Sequence, residues 1–417
     1  MTGPESHGGM GLPHLLNSAC IEMWNSANMG FSLCPLLTAG AVEAIAAHGS
    51  PALKDIYLTK MVSGEWTGTM NLTEPQAGSD LSALRAKAEP QGDGSYRIKG
   101  QKIFITYGDH DMTENIVHLV LARLPDAPPG TRGISLFLVP KFLVNADGSL
   151  GARNDAHCAS IEHKLGIHAS PTCTMVYGDE GGAAGWLVGE ENRGLACMFT
   201  MMNNARLAVG LQGVAIAERA TQQAIAFANQ RKQGKVAGEA GKKAGDAGMS
   251  AIANHADVRR MLMTMRALTQ AARGICYLNA AAIDRAHRER DPEKRKQASE
   301  RAGLLTPIAK AFATDIGNEV ASLGVQVHGG MGFVEETGAA QHLRDARILP
   351  IYEGTNGIQA IDLVTRKLPQ AGGGAVKREM ALMRATVEQV RATNVDSFGA
   401  TARRLGEALD ALESATA

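Results

Sequence analysis

The sequence has few aromatic residues and no excess of charge of either sign. Phenylalanine, tryptophan and tyrosine make up 4% of the 417 residues, and 42 lysines and arginines balance 42 aspartates and glutamates. Because the formal net charge is zero, no global field attracts nucleic acid or an anionic membrane, and we expect neither as a partner. The scarcity of aromatics beside abundant glycine, alanine and methionine suits close-packed helices.

Clustered cysteines and long apolar runs are also missing. The six cysteines are scattered along a long chain, which indicates buried thiols in a reducing compartment rather than a disulfide framework. No charged and apolar leader opens the chain, and no apolar run approaches membrane-spanning length. The sequence therefore predicts a soluble cytoplasmic protein without membrane insertion.

The chain changes character three times. Helical patterns dominate residues 1–68, short β-branched runs with a Gly92–Gly94 turn predict a β domain over 69–190, and helical apolar stripes predict a bundle over 191–368. Residues 234–248 are predicted to form a mobile surface loop. After a glycine linker, residues 369–417 begin a further helical extension.

One carboxylate stands out because a glycine-containing turn surrounds it. Residues 351–359 are IYEGTNGIQ, in which Glu353 follows an apolar run and precedes a helical pattern. Backbone geometry can fix such a carboxylate beside a reacting carbon, as a general base requires. By itself the turn only suggests this role, because most glutamates in glycine-containing turns are simply exposed.

Two further blocks give the turn its context. Residues 72–80 are LTEPQAGSD and residues 326–333 are QVHGGMGF. Together with 351–359, and in the same order, these blocks resemble the acyl-CoA dehydrogenases. The resemblance covers roughly residues 3–368 and is greatest for the large bacterial branch that includes the 3-methylmercaptopropionyl-CoA dehydrogenases.

The resemblance implies a multidomain α+β fold with a partial N-terminal helical segment, a middle β-barrel domain and a C-terminal four-helix bundle. Because members of the family carry further N-terminal helices, and this branch a longer C-terminal domain, we expect this chain to be shortened at both ends.

The resemblance also assigns site residues. Glu353 is the expected catalytic base, and its backbone N–H is expected to stabilise the developing enolate. No carboxylate occurs at residues 203–206, where some relatives place the base. FAD contacts are expected from eleven residues: Leu72, Thr73, Gly78, Ser79, Phe104, Thr106, Arg231, Gln326, Gly329, Gly330 and Thr355. Substrate contacts are expected from Ser79, Arg206 and Gly354.

Several of these residues have simpler interpretations. Phe104 could belong to a strand core, Arg231 could be a solvated helix charge, and the pair Gly329–Gly330 could merely end a helix. The nearby histidines and cysteines, such as His157 and Cys158, have spacing that fits no compact zinc site, so we expect no metal.

The predicted activity is FAD-dependent α,β-dehydrogenation of an acyl-CoA to the trans-2-enoyl-CoA. The resemblance implies electron-transfer flavoprotein as the electron acceptor, a role in fatty acid metabolism, and a homodimer or homotetramer. Three alternatives stay open: an acyl-CoA oxidase, a DNA-associated flavoprotein of the same fold, and a non-catalytic relative.

Overall fold

The computed structural model describes residues 1–236, 249–393 and 395–416, so most of the predicted 234–248 loop lies outside the described residues. The helices are α1 His14–His48, α2 Pro51–Ser63, α3 Gly194–Gln230, α4 Ala256–Arg288, α5 Pro292–His328, α6 Ala339–Ala346, α7 Asn356–Asp362, α8 Gly374–Thr393 and α9 Thr401–Thr416. The strands are β1 Trp66–Asn71, β2 Lys87–Pro90, β3 Tyr96–Thr106, β4 Asn115–Ala122, β5 Ser135–Pro140, β6 Phe142–Val144, β7 Leu150–Arg153, β8 Ala156–Ile161, β9 Thr172–Tyr177 and β10 Ala183–Leu187.

The helix α1 bends at Asn28, whose backbone is not helical and whose side chain accepts from Phe31 N at 3.0 Å. By length and composition α1 could cross a membrane, contrary to our expectation that no segment comes close. However, 67% of its most apolar window is buried inside the protein, as in the core helix of a soluble protein.

The predicted β segment forms a mixed sheet. Its strand order is β1-β4-β5-β10-β3-β9-β8, with β2 paired to β3 and a separate β6-β7 pair. The predicted hairpin at Gly92–Gly94 joins β2 to β3, and Gln91 N donates to Ser95 O across it at 2.8 Å. Strand β3 shifts register against β9 between Lys102 and Ile105, so the residues of the bulge leave the regular ladder.

The helical part contains three long helices, α3, α4 and α5, with α1 packed on α3 and α4. Helices α4 and α5 form the predicted antiparallel pair, because Met265 faces Gly324 near one end while Asn279 donates to Thr306 near the other. Helices α3 and α5 instead run parallel at close range. A Cβ on Gly213 would lie 2.2 Å from the Ala313 carbonyl oxygen, so only glycine permits this approach.

The C-terminal helices lie against the bundle. Arg301 on α5 donates to both carboxylate oxygens of Glu379 on α8, at 2.7 and 2.8 Å, and Arg378 pairs with Glu300. Fold class and element order therefore agree with the sequence prediction, while the three domain boundaries at 68, 190 and 368 stay a prediction.

Candidate active site

Glu353 lies in the turn between α6 and α7. Its φ is +55°, in the left-handed region that costs free energy for a non-glycine residue. Gly354 follows at φ +84°, and a Cβ there would lie 2.7 Å from Gln359 Nε2. Gln359 instead donates to the Gly354 carbonyl at 3.0 Å. The turn thus holds a half-buried carboxylate in a fixed, strained backbone conformation.

Two cations from different helices surround this turn. Arg206 on α3 is buried and donates to Asp362 at 3.1 Å, and Asp362 also pairs with Arg366 at 2.8 Å. Lys310 on α5 is fully buried and donates to Asn356 Oδ1 at 2.9 Å. Helices α3 and α5 therefore bring one positive charge each to the Glu353 turn.

Asn356 links the turn to α5. Besides accepting from Lys310, its amide donates to Thr314 Oγ1 at 3.0 Å and to Asp315 Oδ1 at 2.8 Å. Its backbone N–H donates to the Pro350 carbonyl at 3.0 Å, which closes the loop that contains Glu353. The side chain of Asn356 therefore fastens both sides of the loop to one face of α5.

The protonation equilibrium of Glu353 follows from these neighbours. Burial raises its pKa to about 7, while the positive charges of Lys310 and Arg206 act in the opposite direction. Burial lowers the pKa of Lys310 to about 8, opposed by Glu353 and Asp315. A carboxylate with a pKa near 7 can both accept and release a proton at neutral pH, as general acid–base chemistry requires.

Unpartnered polar groups border the same turn. Among the described residues, the buried atoms Arg206 Nε, Gln212 Nε2 and Gln359 Oε1 have no hydrogen-bond partner, although Gln212 accepts from the Tyr352 hydroxyl. The backbone N–H of Glu353 also has no acceptor within the described ranges. Because buried donors and acceptors are normally paired, these groups indicate a place for a polar ligand.

The residues predicted to contact the flavin ring come together on the sheet. Leu72 and Thr73 follow β1 directly, and the Thr73 carbonyl accepts from Ile103 N on β3 at 2.9 Å. Phe104 has φ +60° in the β3 bulge and its side chain is 60% exposed. Phe104 is therefore not part of a strand core, which was the simpler interpretation.

Leu72, Thr73 and Phe104 form the predicted flavin wall, and the other predicted flavin contacts lie in the loop after Thr73, at the end of β3 and at the start of α7. Gly78 and Ser79 are exposed in the loop after Thr73, and Thr106 ends β3 half-buried. Thr355 caps α7, where its hydroxyl accepts from Ile358 N at 3.2 Å. A capping hydroxyl keeps its hydrogen free to donate elsewhere.

The end of β3 and the segment that leads to Glu353 pack in one apolar cluster. Ile167, in the loop before β9, donates its N–H to Asp345 on α6 at 2.5 Å, and its side chain packs in the same cluster as Leu349. Tyr107, directly after β3, lies in that cluster too and donates to the Gly30 carbonyl on α1. The predicted flavin wall therefore adjoins the segment that leads to Glu353.

Four predicted residues lie at the opposite end of the bundle. His328 ends α5, 18 residues beyond Lys310, and this separation is roughly 27 Å along a helix axis. Phe227 near the end of α3 stacks on His328 with ring centroids 4.4 Å apart. Arg231 therefore lies at the same end as the exposed Gln326, Gly329 and Gly330.

The group formed by Arg231, Gln326, Gly329 and Gly330 is far from Glu353 of the same chain. A Cβ on Gly329 or Gly330 would meet no atom within 4 Å, and Gly329 has φ +60°, so the backbone is open to a ligand. A loop of this kind can hold phosphate oxygens through its N–H groups.

Lys310, Asn356, Gln212 and Asp362 are site neighbours that the sequence analysis missed. Lys310 and Asn356 occupy helical segments where a polar residue is normally solvated. Asp362 follows the Glu353 turn at helical spacing, but nothing in the sequence pairs it with Arg206. Only the position of Lys310 within an apolar stripe, between Ile308 and Phe312, could have drawn attention to a buried charge.

Sequence comparison identifies the family. Three profiles match in order: the acyl-CoA dehydrogenase N-terminal domain over residues 1–65, the middle domain over 69–179 and the C-terminal domain over 192–368. The chain belongs to the acyl-CoA dehydrogenase family. Members of this family are FAD-dependent.

Relatives in the acyl-CoA dehydrogenase family include a 3-methylmercaptopropionyl-CoA dehydrogenase of Ruegeria pomeroyi, 52% identical over 98% of this chain and 67% of the relative. A butyryl-CoA dehydrogenase of Syntrophomonas wolfei is 39% identical over 89% of this chain and 61% of the relative. The structure of an acyl-CoA dehydrogenase complexed with FAD from Bacillus anthracis superimposes with a TM-score of 0.73 at 25% identity, over 93% and 62% of the two chains. This chain thus spans about two thirds of these relatives.

The described residues fit the flavin that this family uses. An exposed Phe104 beside the Thr73 N–H, unpartnered within the described residues, offers an apolar face and a polar donor, as an isoalloxazine ring requires. The open Gly329–Gly330 backbone, with Arg231 at the same end of the bundle, suits a pyrophosphate.

Proposed function

We propose that this chain is an acyl-CoA dehydrogenase that converts an acyl-CoA to its trans-2-enoyl-CoA with Glu353 as the base. The observation that carries the proposal is the strained, half-buried Glu353 held between Lys310 and Arg206, with its pKa raised to about 7 by burial. A base in this position removes the α-proton of the thioester, which is only weakly acidic.

Other groups near Glu353 would stabilise the charge that develops on the substrate and hold the substrate in place. The unpartnered N–H of Glu353 is available to donate to the thioester oxygen, where negative charge develops as the proton leaves. Ser79, Arg206 and Gly354 are the proposed substrate contacts. FAD, held by Leu72, Thr73, Gly78, Ser79, Phe104, Thr106 and Thr355, would accept the β-hydrogen as hydride.

The distribution of predicted contacts supports an assembly in which two subunits share each flavin. Gln326, Gly329 and Gly330 lie roughly 24 Å or more from Lys310 along the bundle, and Arg231 lies at the same end, too far to contact an isoalloxazine ring beside Glu353. In keeping with the family resemblance, which implies that this group binds the adenosine diphosphate half of the partner's FAD, we propose a homodimer or homotetramer.

A short or thioether-containing acyl group is the proposed substrate class, with electron-transfer flavoprotein as electron acceptor in a soluble, cytoplasmic setting. The substrate class follows the relatives named for 3-methylmercaptopropionyl-CoA and butyryl-CoA.

An anaerobic titration tests the function. The FAD-loaded protein is mixed with butyryl-CoA, 3-methylmercaptopropionyl-CoA or palmitoyl-CoA, and flavin absorbance and enoyl-CoA are measured. We expect bleaching and stoichiometric product with the two short substrates. Absence of bleaching with every acyl-CoA would contradict the proposal, and rapid reoxidation by air rather than by electron-transfer flavoprotein would instead indicate an oxidase.

Replacing Lys310 by Met should shift the pH dependence of flavin reduction. The base acts when ionised, so the rate rises with pH through the pKa of Glu353. The Lys310 cation lowers that pKa, and its removal raises it further. The pH midpoint of the reduction rate, measured by stopped flow, should therefore move upward. Lys296→Met, which changes an exposed lysine on the same helix, should leave it unchanged; an unshifted midpoint in Lys310→Met would contradict the assignment.

Replacing Arg231 by Ala should weaken FAD binding. A charge-assisted phosphate contact contributes about 1.5–3 kcal/mol, which corresponds to roughly ten- to a hundredfold in Kd. Fluorescence titration of the apoprotein with FAD measures the effect, and size-exclusion chromatography reports whether the oligomer loosens as well. Arg404→Ala on α9 is the matched control, because Arg404 is exposed and remote. Equal affinity in both variants would show that Arg231 is only a solvated charge.

A further inference from the structure

A fully buried ion pair lies behind the wall formed by Leu72, Thr73 and Phe104. Lys102 Nζ is 2.8 Å from Glu74 Oε1, and the two side chains are 0% and 3% exposed. Glu74 also accepts from Arg85 N at 2.7 Å, Ala86 N at 3.0 Å and Gln76 Nε2 at 2.6 Å. Every oxygen of this carboxylate is therefore occupied, and the pair is complete without solvent.

Stability alone is a weak reason for such a pair. Removing two charges from water costs free energy that their attraction only partly offsets, and apolar residues of similar size often serve as well. The position of the pair offers another reason. Glu74 belongs to the loop after β1, whereas Lys102 lies on β3 just before the bulge that contains Phe104.

Lys102 makes a second hydrogen bond that controls the backbone. Its Nζ donates to the Leu72 carbonyl at 3.1 Å. The peptide bonds are trans, so the Leu72 carbonyl and the Thr73 N–H point in opposite directions. Because the carbonyl is directed to the buried ammonium, the Thr73 N–H is directed away from it, and no acceptor for this N–H occurs in the described part of the chain.

We propose that Glu74 and Lys102 are positioning residues that hold the Leu72–Thr73 peptide and the Phe104 bulge in the arrangement that binds FAD. The proposal rests on the proposed function. Glu74 orients the ammonium, the ammonium fixes the Leu72 carbonyl, and the carbonyl fixes the free Thr73 N–H as a donor. Neither Glu74 nor Lys102 touches the flavin itself, because both are enclosed by protein.

Three variants separate positioning from a merely structural role: Lys102→Met, Glu74→Gln, and the double variant Glu74→Gln with Lys102→Met. Each single variant leaves one buried group uncompensated and should unfold at lower temperature. The double variant removes both charges at similar volume, so its thermal midpoint should return close to that of the unchanged protein. It still lacks the Leu72 hydrogen bond.

FAD binding to the apoprotein and the visible spectrum of bound FAD are the readouts. We expect the double variant to bind FAD at least tenfold more weakly, with a shifted flavin spectrum, despite its restored stability. Lys99→Met, on the same strand but half exposed, is the control and should bind FAD normally. Unchanged FAD affinity in the double variant would overturn the proposal, and so would its failure to fold, since the pair would then serve the fold.

Failure of the proposed role of Glu74 and Lys102 can be told apart from failure of the dehydrogenase assignment. If the unchanged protein binds FAD but no acyl-CoA reduces it, the dehydrogenase assignment fails, while the binding measurements on the variants still decide the role of the pair. If the unchanged protein binds no FAD at all, both proposals are wrong.

Discussion

Flavin reduction by an acyl-CoA should fall by roughly 10²–10⁴-fold when Glu353 is replaced by Gln, because an essential general base contributes about this much to the rate. The amide preserves the size of the side chain but cannot accept the α-proton. The Glu353 turn is held by Gln359, Asn356 and backbone geometry rather than by its own carboxylate, so the fold should persist.

Stopped-flow absorbance under anaerobic conditions measures this effect, with FAD affinity determined on the same preparation. The affinity should be unchanged, which separates loss of chemistry from loss of cofactor. Glu336→Gln changes an exposed glutamate ahead of α6 and should reduce the flavin at the normal rate. A Glu353→Gln variant that is reduced almost normally would require a different base, and no carboxylate lies at residues 203–206 to replace it.

Replacing Arg206 by Met should destabilise the helical part by about 3 kcal/mol, the lower end of the range for breaking a buried ion pair, because Asp362 loses its buried partner and keeps only the exposed Arg366. The two side chains are 5% and 4% exposed, so little water can compensate. For a domain of this size the loss corresponds to a fall in Tm on the order of 10 °C. Differential scanning calorimetry of the FAD-free protein measures it without contributions from the cofactor.

Arg366→Met provides the matched control because Arg366 pairs with the same carboxylate from the surface, with 57% of its side chain exposed. Because the Arg366 side chain stays mostly hydrated and Asp362 keeps its buried partner Arg206, we expect a loss close to the roughly 0.2–1 kcal/mol of surface pairs, so the Tm should change little. Equal effects of the two substitutions would mean that burial does not decide the strength of the Asp362 interactions. A stable Arg206→Met variant would also imply that Arg206 does not hold α7 in place.

Much of the architecture could be predicted locally. The apolar stripe on α4 and α5, the Gly92–Gly94 hairpin and the switch from helical to strand patterns depend on residues close together in the sequence, where side-chain periodicity reports directly on burial. The Glu353 turn could likewise be recognised from its own nine residues, and its positive φ explains why glycine follows it.

The neighbours of Glu353 could not be predicted in the same way. Lys310, Asn356 and Gln212 reach the site from helical segments in which polar residues usually face solvent, and Asp362 meets Arg206 across 156 residues of sequence. Which helix face meets which depends on packing between distant segments, as the contact of Gly213 with Ala313 illustrates. No local pattern contains that information.

The sequence by itself determined the family, the order of helical and β segments and the candidate base Glu353, because each depends on short motifs with local conformational requirements. Only the tertiary structure decided that α3 and α5 run parallel, which places Arg231 and Gly329 at the same end of the bundle and leaves both far from Glu353. It also decided that Lys310 and Arg206 flank the carboxylate and that Lys102 pairs with Glu74 behind the flavin wall. Charges interact through space, so their effect on a buried group is set by the packed helices and strands rather than by their spacing along the chain.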